Sequence, residues 1–204
     1  MRATRFLMLV SALALIFAPG CKHAVDTLAF QSTLNAYYAS QQDCLWTAPV
    51  KLPAQADTSN DEQTKTFDAL TDAGLLTRTP EEKKRFLIGS KQVNDYDLSD
   101  PGRKSWTPDP SQPGYGNFCY GHPHVNDIDS STAADDSGTR YTVTYHVSAD
   151  NPPGWTNSAE MKTAFPKMAA ETSDRQAATA TLLKGASGWQ VENVQTAPAP
   201  ASTM

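Results

Sequence analysis

The sequence contains little cysteine and no excess of positive charge. Its 204 residues include three cysteines, and 17 lysines and arginines stand against 22 aspartates and glutamates, for a net charge of −5. A dense disulfide framework needs more cysteine, and a chain of this length can bury a core without one. Because nucleic-acid binding needs clustered lysine and arginine, no nucleic-acid partner is expected.

Recognisable catalytic motifs and internal repeats are also absent from the sequence. It has no Gly-x-Ser-x-Gly for an activated serine, no His-Glu-x-x-His or paired-cysteine motif for zinc, and no glycine-rich phosphate loop before a helix. These absences favour a protein that is not an enzyme, and no reaction is assigned.

What the sequence does have is an apolar leader before its first cysteine. Residues 1–5 carry two arginines, residues 6–17 are almost entirely apolar, and small residues then lead to Cys21. The apolar stretch has the length of a signal-peptide core and falls short of the roughly 20 residues that a membrane-spanning helix needs. The sequence therefore predicts export, with residues 1–20 as a signal peptide.

This order of charged start, apolar stretch, small residues and cysteine resembles the bacterial lipoprotein signal. The resemblance implies that Cys21 carries an acyl anchor such as palmitate and becomes the first residue of the mature chain. Lys22, where an acidic residue would retain the protein at the inner membrane, implies the outer membrane, facing the periplasm. Ordinary secretory cleavage is the alternative, because Ala18 and Pro19 depart from the usual residues of such signals.

The remaining two cysteines predict one disulfide bond. Lipidation of Cys21 would leave Cys44 and Cys119 as the other thiols of the chain. In an oxidising compartment outside the cytoplasm, such a pair tends to close. We therefore predict a disulfide between Cys44 and Cys119, with two buried free thiols as the alternative.

The hydrophobic pattern predicts an α+β fold whose N-terminal part, residues 21–106, is mainly helical. Apolar residues recur at helical spacing over residues 25–40 and 61–73. Two short strands are expected at 85–89 and 93–98, turning near residues 90 and 91.

The C-terminal part, residues 107–194, is expected to be a small antiparallel sheet. It would consist of two hairpins with one helix between them, near residues 158–167. The hairpin strands are predicted at 118–129, 139–148, 177–183 and 189–194. Residues 195–204 have few bulky side chains and are expected to form a mobile tail.

Four short motifs stand within residues 61–106, namely Phe67-Asp-Ala-Leu70, Ala73-Gly-Leu-Leu76, Tyr96-Asp-Leu98-Ser99 and Gly102-Arg103. They resemble the recognition helix, wing and following helix of winged-helix domains. In that family the helix usually enters the DNA major groove. Here the helix carries four carboxylates against one lysine, which phosphates would repel. The resemblance therefore implies a scaffold for protein contact.

Histidines of the first predicted hairpin form the most suggestive cluster. His122 and His124 are two residues apart and would face the same side of a strand. A hairpin that pairs Asp129 with Thr139 would also set His122 opposite His146. Three neutral imidazoles suit zinc or copper, so His122, His124 and His146 are candidate metal ligands. The alternative is a polar strand face that is simply solvated.

Carboxylates and tryptophans leave two further interpretations open. Asp127, Asp129, Asp135 and Asp136 either converge on a calcium ion or serve a hairpin turn. The four tryptophans, at positions 46, 106, 155 and 189, are expected to pin loops to the core. Binding of a sugar or a partner by an exposed pair is the alternative.

The leading interpretation is an exported envelope lipoprotein that acts as a binding or assembly module at the membrane surface. Its expected partners are the membrane, through the lipid anchor, and an envelope protein. One alternative is a metal-binding protein that uses the histidine cluster with zinc or copper. Another is an envelope hydrolase with a carboxylate site.

Overall fold

The computed structural model describes residues 21–84, 90–173 and 175–196, which contain five α-helices and eleven strands. The helices are α1 (Cys21–Tyr38), α2 (Asp61–Asp72), α3 (Asp100–Ser105), α4 (Ala159–Ala164) and α5 (Pro166–Ser173). The strands are β1 (Asp43–Cys44), β2 (Val50–Lys51), β3 (Ala54–Asp57), β4 (Leu76–Lys84), β5 (Ser90–Leu98), β6 (Trp106–Pro108), β7 (Tyr115–Gly121), β8 (Pro123–Ala133), β9 (Arg140–Ala149), β10 (Gln176–Gly185) and β11 (Gly188–Thr196).

Three predicted features fall wholly or partly outside these residues. The signal peptide at 1–20 and the strand at 85–89 lie outside the described residues, as do residues 197–204 of the predicted tail. Residues 195 and 196 belong to β11. The predicted helices at 25–40 and 61–73 are confirmed by α1 and α2.

The predicted α+β fold class with an N-terminal helical part is wrong. The molecule is mostly β, in three antiparallel sheets, and residues 21–106 contain β1 to β5 in addition to three helices. Strands as short as β1 and β2 carry no periodic pattern that a sequence could show. β4 is an exposed edge strand that contains a Pro-Glu-Glu-Lys run. Such a run is typical of a charged loop, so the sequence does not predict a strand there.

The three sheets divide the strands as follows. One has the order β11–β10–β9–β8, the second has the order β3–β5–β4, and in the third β7 pairs with β1, β2 and β6. The predicted C-terminal hairpin is confirmed by β10 and β11. The strand predicted at 118–129 is instead two strands, because the chain bends at Gly121. Its φ is 147°, and an added Cβ would lie 2.9 Å from the Asp150 carbonyl oxygen.

Helix α1 covers one face of the β11–β10–β9–β8 sheet. Phe30, Leu34 and Tyr38 recur every four residues and are buried, with Phe30 and Leu34 wholly so. They join the buried side chains of β8, β9 and β10 in one core. Asn35 Oδ1 also accepts a hydrogen bond of 2.8 Å from the Val125 amide on the edge strand β8. This helix therefore both fills the core and caps a sheet edge.

A second core lies between α2, α4 and α5 and the strands β3, β5 and β7. Leu70, Tyr96, Phe118 and Met161 are wholly buried there. Trp46, Trp106 and Trp155 surround the Phe118 ring, with ring centroids 6.4, 5.0 and 6.4 Å away. Trp189 packs on Phe30 in the first core at 4.9 Å. The predicted core contact of the tryptophans is confirmed, but Trp106 and Trp189 lie on strands rather than on loops.

The helix predicted at 158–167 is two helices. Ser158 Oγ accepts a hydrogen bond from the Met161 amide and caps the start of α4. Phe165 leaves helical geometry because it precedes Pro166, and a residue before proline is pushed away from the α region. Pro166 then starts α5, where a missing amide hydrogen does no harm.

Candidate functional site

The disulfide predicted from the cysteine count is confirmed. Cys44 on β1 and Cys119 on β7 are cross-strand partners, and their sulfur atoms are 2.01 Å apart. The bond lies six residues beyond α1 and fastens the N-terminal part of the chain to the middle of the third sheet. Cys21 is the first residue of α1. Its lipidation stays a prediction.

The pairing that would have brought three histidines together is not the one in the sheet. His146 lies opposite Asp127, and His124 lies opposite Ser148. His122 falls between β7 and β8, where its Nδ1 contacts the Gln41 carbonyl oxygen. The predicted metal site of His122, His124 and His146 assumed a strand pairing that does not occur in the sheet.

The turn of this hairpin explains the different register. Asp135 accepts hydrogen bonds from the Ser137 hydroxyl at 2.9 Å and from the Thr139 amide at 3.2 Å. These contacts lower the pKa of Asp135 and close the turn within residues 135–139. The strands consequently extend to a pairing of Ala133 with Tyr141, beyond the predicted pairing of Asp129 with Thr139. Asp135 thus serves the hairpin turn, as one of the two interpretations held.

His146 lies instead beside two aspartates of β8. Its Nδ1 is 3.0 Å from Asp129 Oδ1 and 3.5 Å from Asp127 Oδ1. One donor atom of each of the three residues lies within 4.8 Å of the others. All three side chains are partly exposed, between 33% and 45%. This Asp-Asp-His cluster is open to solvent on one side.

Two bulges in β8 shape the Asp-Asp-His cluster. The pairing with β9 shifts between Val125 and Asp127, and again between Ile128 and Ser130. Asn126 and Asp129 are therefore the extra residues of the strand. Bulges redirect side chains, and here they bring both carboxylates beside the same imidazole.

Arg175 balances part of the negative charge of the Asp-Asp-His cluster. Its Nη1 is 3.2 Å from Asp127 Oδ2. The other carboxylate oxygen, Asp127 Oδ1, is buried and has no hydrogen-bond donor among the described residues. The imidazole Nδ1 hydrogen bonds to Asp129, so Asp127 Oδ1 faces His146 without a hydrogen bond.

A second group of ionisable side chains lies beside the disulfide. The Tyr120 hydroxyl donates to Glu171, and Lys167 Nζ is 3.1 Å from Glu171 Oε1 and 3.5 Å from Asp43 Oδ1. Burial, with the charge of Glu171 adding to it, raises the pKa of Asp43. Burial and the bond to Glu171 raise the pKa of Tyr120. This network ties α5 to β1 and β7.

A groove of about 350 Å³ lies between α2 and α4. Three carboxylates and one lysine are among its lining residues, namely Asp68, Asp72, Glu160 and Lys65. Asp68 is already engaged, since its Oδ1 is 2.8 Å from Arg78 Nη1 and accepts a 2.8 Å hydrogen bond from the Tyr96 hydroxyl. The groove is therefore acidic, and Asp72 and Glu160 are exposed in it.

Sequence reasoning named the members of the Asp-Asp-His cluster but placed them in two separate sites. Asp127 and Asp129 belonged to the calcium alternative, and His146 to the histidine cluster. The bulges that unite them carry no sequence signal. The network beside the disulfide was missed, although Lys167 and Glu171 stand at helical i,i+4 spacing.

None of the described helices is both long and apolar enough to cross a membrane. The lipoprotein and winged-helix resemblances stay predictions. Comparison with protein-family models, with curated proteins and with solved structures found no match to this chain.

Proposed function

We propose that this protein is an exported lipoprotein that acts as a binding or assembly module at the surface of an envelope membrane. The anchor is an acyl group on Cys21, and the location is the periplasmic face of the outer membrane. The partner is an envelope protein with a basic segment. The leader sequence supports the export step, and the confirmed disulfide suits an oxidising compartment.

The observation that carries the proposal is the continuity of α1 from the anchor site to the core. Cys21 is already helical within the described residues, and the wholly buried Phe30 follows nine residues later in the same helix. At a rise of about 1.5 Å per residue, the core lies about 14 Å along the helix from Cys21. An acyl group on Cys21 would therefore hold the folded domain close to the bilayer, as a module that works at a membrane surface requires.

The acidic groove between α2 and α4 is the surface best suited to the partner. Asp72 on α2 and Glu160 on α4 are exposed in this groove, while Asp68 forms an ion pair with Arg78. A basic side chain entering the groove would meet two carboxylates that form no ion pair with another described residue. Electrostatic complementarity of this kind governs specificity and the rate of association.

Lipidation is tested by labelling the whole protein with radioactive palmitate in growing bacteria. We expect label in the unmodified protein and none in a Cys21→Ser variant. A variant with Cys44→Ala and Cys119→Ala is the matched control and should keep the label. A processed, unlabelled protein released into the periplasm would instead establish ordinary secretory cleavage.

Binding is tested by placing a photo-crosslinking residue at Thr163, beside the groove, in intact cells. We expect one crosslinked envelope protein, which is lost when Asp72→Lys and Glu160→Lys reverse the charge of the groove. Reversal at two exposed aspartates elsewhere, Asp136→Lys and Asp150→Lys, changes the net charge equally and should keep the product. Equal products from both double variants would refute the groove as the binding surface.

A further inference from the structure

We propose that Asp127, Asp129 and His146 form a binding site for one divalent transition-metal ion, with Zn²⁺ as its representative. The site lies on the β8–β9 hairpin and does not depend on the lipid anchor or on the acidic groove. It replaces the predicted histidine site with a donor set of one imidazole nitrogen and two carboxylate oxygens.

The spacing of the donor atoms fits such an ion. Zinc bonds to histidine nitrogen and carboxylate oxygen at about 2.0–2.2 Å, and a tetrahedral arrangement at these lengths separates the donors by about 3.4 Å. His146 Nδ1 is 3.0 Å from Asp129 Oδ1 and 3.5 Å from Asp127 Oδ1. Two of the three donor separations are therefore already close to this value, and one oxygen of Asp127 lies within 4.8 Å of one oxygen of Asp129.

A second observation concerns Asp127 Oδ1 alone. This oxygen is buried, faces the imidazole and has no hydrogen-bond donor in the described part of the chain. Buried polar atoms without a partner are uncommon, because each loses its hydration and gains nothing in return. Arg175 holds the other oxygen of the same carboxylate, which fixes Oδ1 toward His146. A metal ion bonded to Oδ1 would satisfy it.

The mixed donor set selects the class of metal. Calcium and magnesium prefer sites built wholly of oxygen, whereas an imidazole nitrogen favours zinc, copper, nickel or iron. Three protein ligands leave a fourth position, and His146 and Asp129 remain 33% and 37% exposed. Water or a donor from another molecule can occupy that position. Binding requires the proton on Nδ1 to leave, so the ion replaces the hydrogen bond to Asp129.

The experiment is a Zn²⁺ titration of the whole protein, purified without a histidine tag, by equilibrium dialysis with metal analysis. We expect one Zn²⁺ per chain, and a tenfold excess of Ca²⁺ over Zn²⁺ should not displace it. Asp129→Asn and His146→Gln each remove a direct ligand. Each should weaken binding by at least the roughly 10–100-fold that loss of a supporting hydrogen bond causes at metal sites.

Two matched controls separate this site from its rivals. Asp136→Asn removes the same charge from an exposed position of the same hairpin, and His124→Gln removes the neighbouring exposed histidine. Both should keep full affinity. Loss of binding in His124→Gln would return the site to the histidine cluster and overturn the proposal. Equal weak binding by every variant, or no stoichiometric binding, would overturn it as well.

A measurement on the unmodified protein guards against variants that fail to fold. Nuclear magnetic resonance of the histidine rings reports each imidazole separately. Addition of Zn²⁺ should shift the ring nitrogen signals of His146 and leave those of His124 unchanged. An unchanged His146 spectrum at saturating Zn²⁺ would contradict the proposal without any substitution.

Discussion

The hydroxyl groups of Tyr38 and Tyr145 lie 2.7 Å apart in the core between α1 and the β11–β10–β9–β8 sheet. Tyr145 is wholly buried and Tyr38 is 4% exposed. Burial is the main cause that raises the pKa of each tyrosine, so both hydroxyls are neutral in the folded protein. The pair is a polar contact between the first helix and the centre of the sheet, among the apolar side chains of that core.

Removal of one hydroxyl of this pair should destabilise the protein. Tyr145→Phe leaves the Tyr38 hydroxyl buried without its partner, which lowers the free energy of unfolding by about 1–3 kcal/mol. Tyr38→Phe should behave alike, and the double variant should lose less than the sum of the two, because neither hydroxyl is then left unpaired. Urea denaturation of the four proteins measures the coupling. Strictly additive losses would show that the two hydroxyls do not interact.

The disulfide should contribute a large share of the stability. It joins residues 75 positions apart, and closure of a loop of that length stabilises by about 4 kcal/mol in the chain-entropy model. Urea denaturation with and without reductant should therefore show a lower free energy of unfolding after reduction. A Cys21→Ser variant should respond to reductant as the unmodified protein does. An unchanged unfolding midpoint after verified reduction would contradict the expectation.

Asp43 should make stability fall as pH rises through its pKa. Its folded-state pKa is raised above the ordinary value of 3.8, so between those two values the folded protein binds more protons than the unfolded chain. The contribution of Asp43 to folding stability is therefore most favourable near or below pH 3.8 and declines as pH rises.

Replacement of Asp43 by asparagine tests this sign. Asp43→Asn should remove the decline in stability over that pH window and should not lower stability at neutral pH, although Lys167 loses a contact. Urea denaturation at a series of pH values gives the slope, with Asp136→Asn as the exposed control. A variant with the slope of the unmodified protein would show that Asp43 is not its source.

Gly102 in α3 should not tolerate a side chain. A Cβ at this position would lie 1.8 Å from the Leu75 carbonyl oxygen, so backbone would have to move. Gly102→Ala should lower the free energy of unfolding by about 1–3 kcal/mol or more. Gly154→Ala is the matched control, because its Cβ would meet no atom within 4 Å. Thermal unfolding compares the two, and equal melting temperatures would contradict the clash.

Part of this structure could be predicted because local patterns decide it. Alternation in residues 177–183 and 189–194 gave the C-terminal hairpin, and Gly74, with a φ of 76°, marks the end of α2. The disulfide followed from the number of cysteines in an expected oxidising compartment. These features depend on a few neighbouring residues or on counting.

The rest depends on contacts between distant residues. The register of β8 against β9 is set by the Asp135 turn and by two bulges, and a shift of a few residues decides which side chains meet His146. Short strands such as β1 exist only because β7 lies beside them. Asp43 and Tyr120 meet Lys167 only after α5 has packed on these strands.

The contact between Phe30 and Trp189 also bears on the order in which the chain can fold. Phe30 stands in the middle of α1, and Trp189 stands in β11, the last described strand. A polypeptide that emerges with its N-terminus first presents Phe30 long before its partner exists. This contact of the first helix can therefore form only after β11 has been synthesised. Contacts of such sequence separation slow folding and lengthen the period in which an incomplete chain can aggregate.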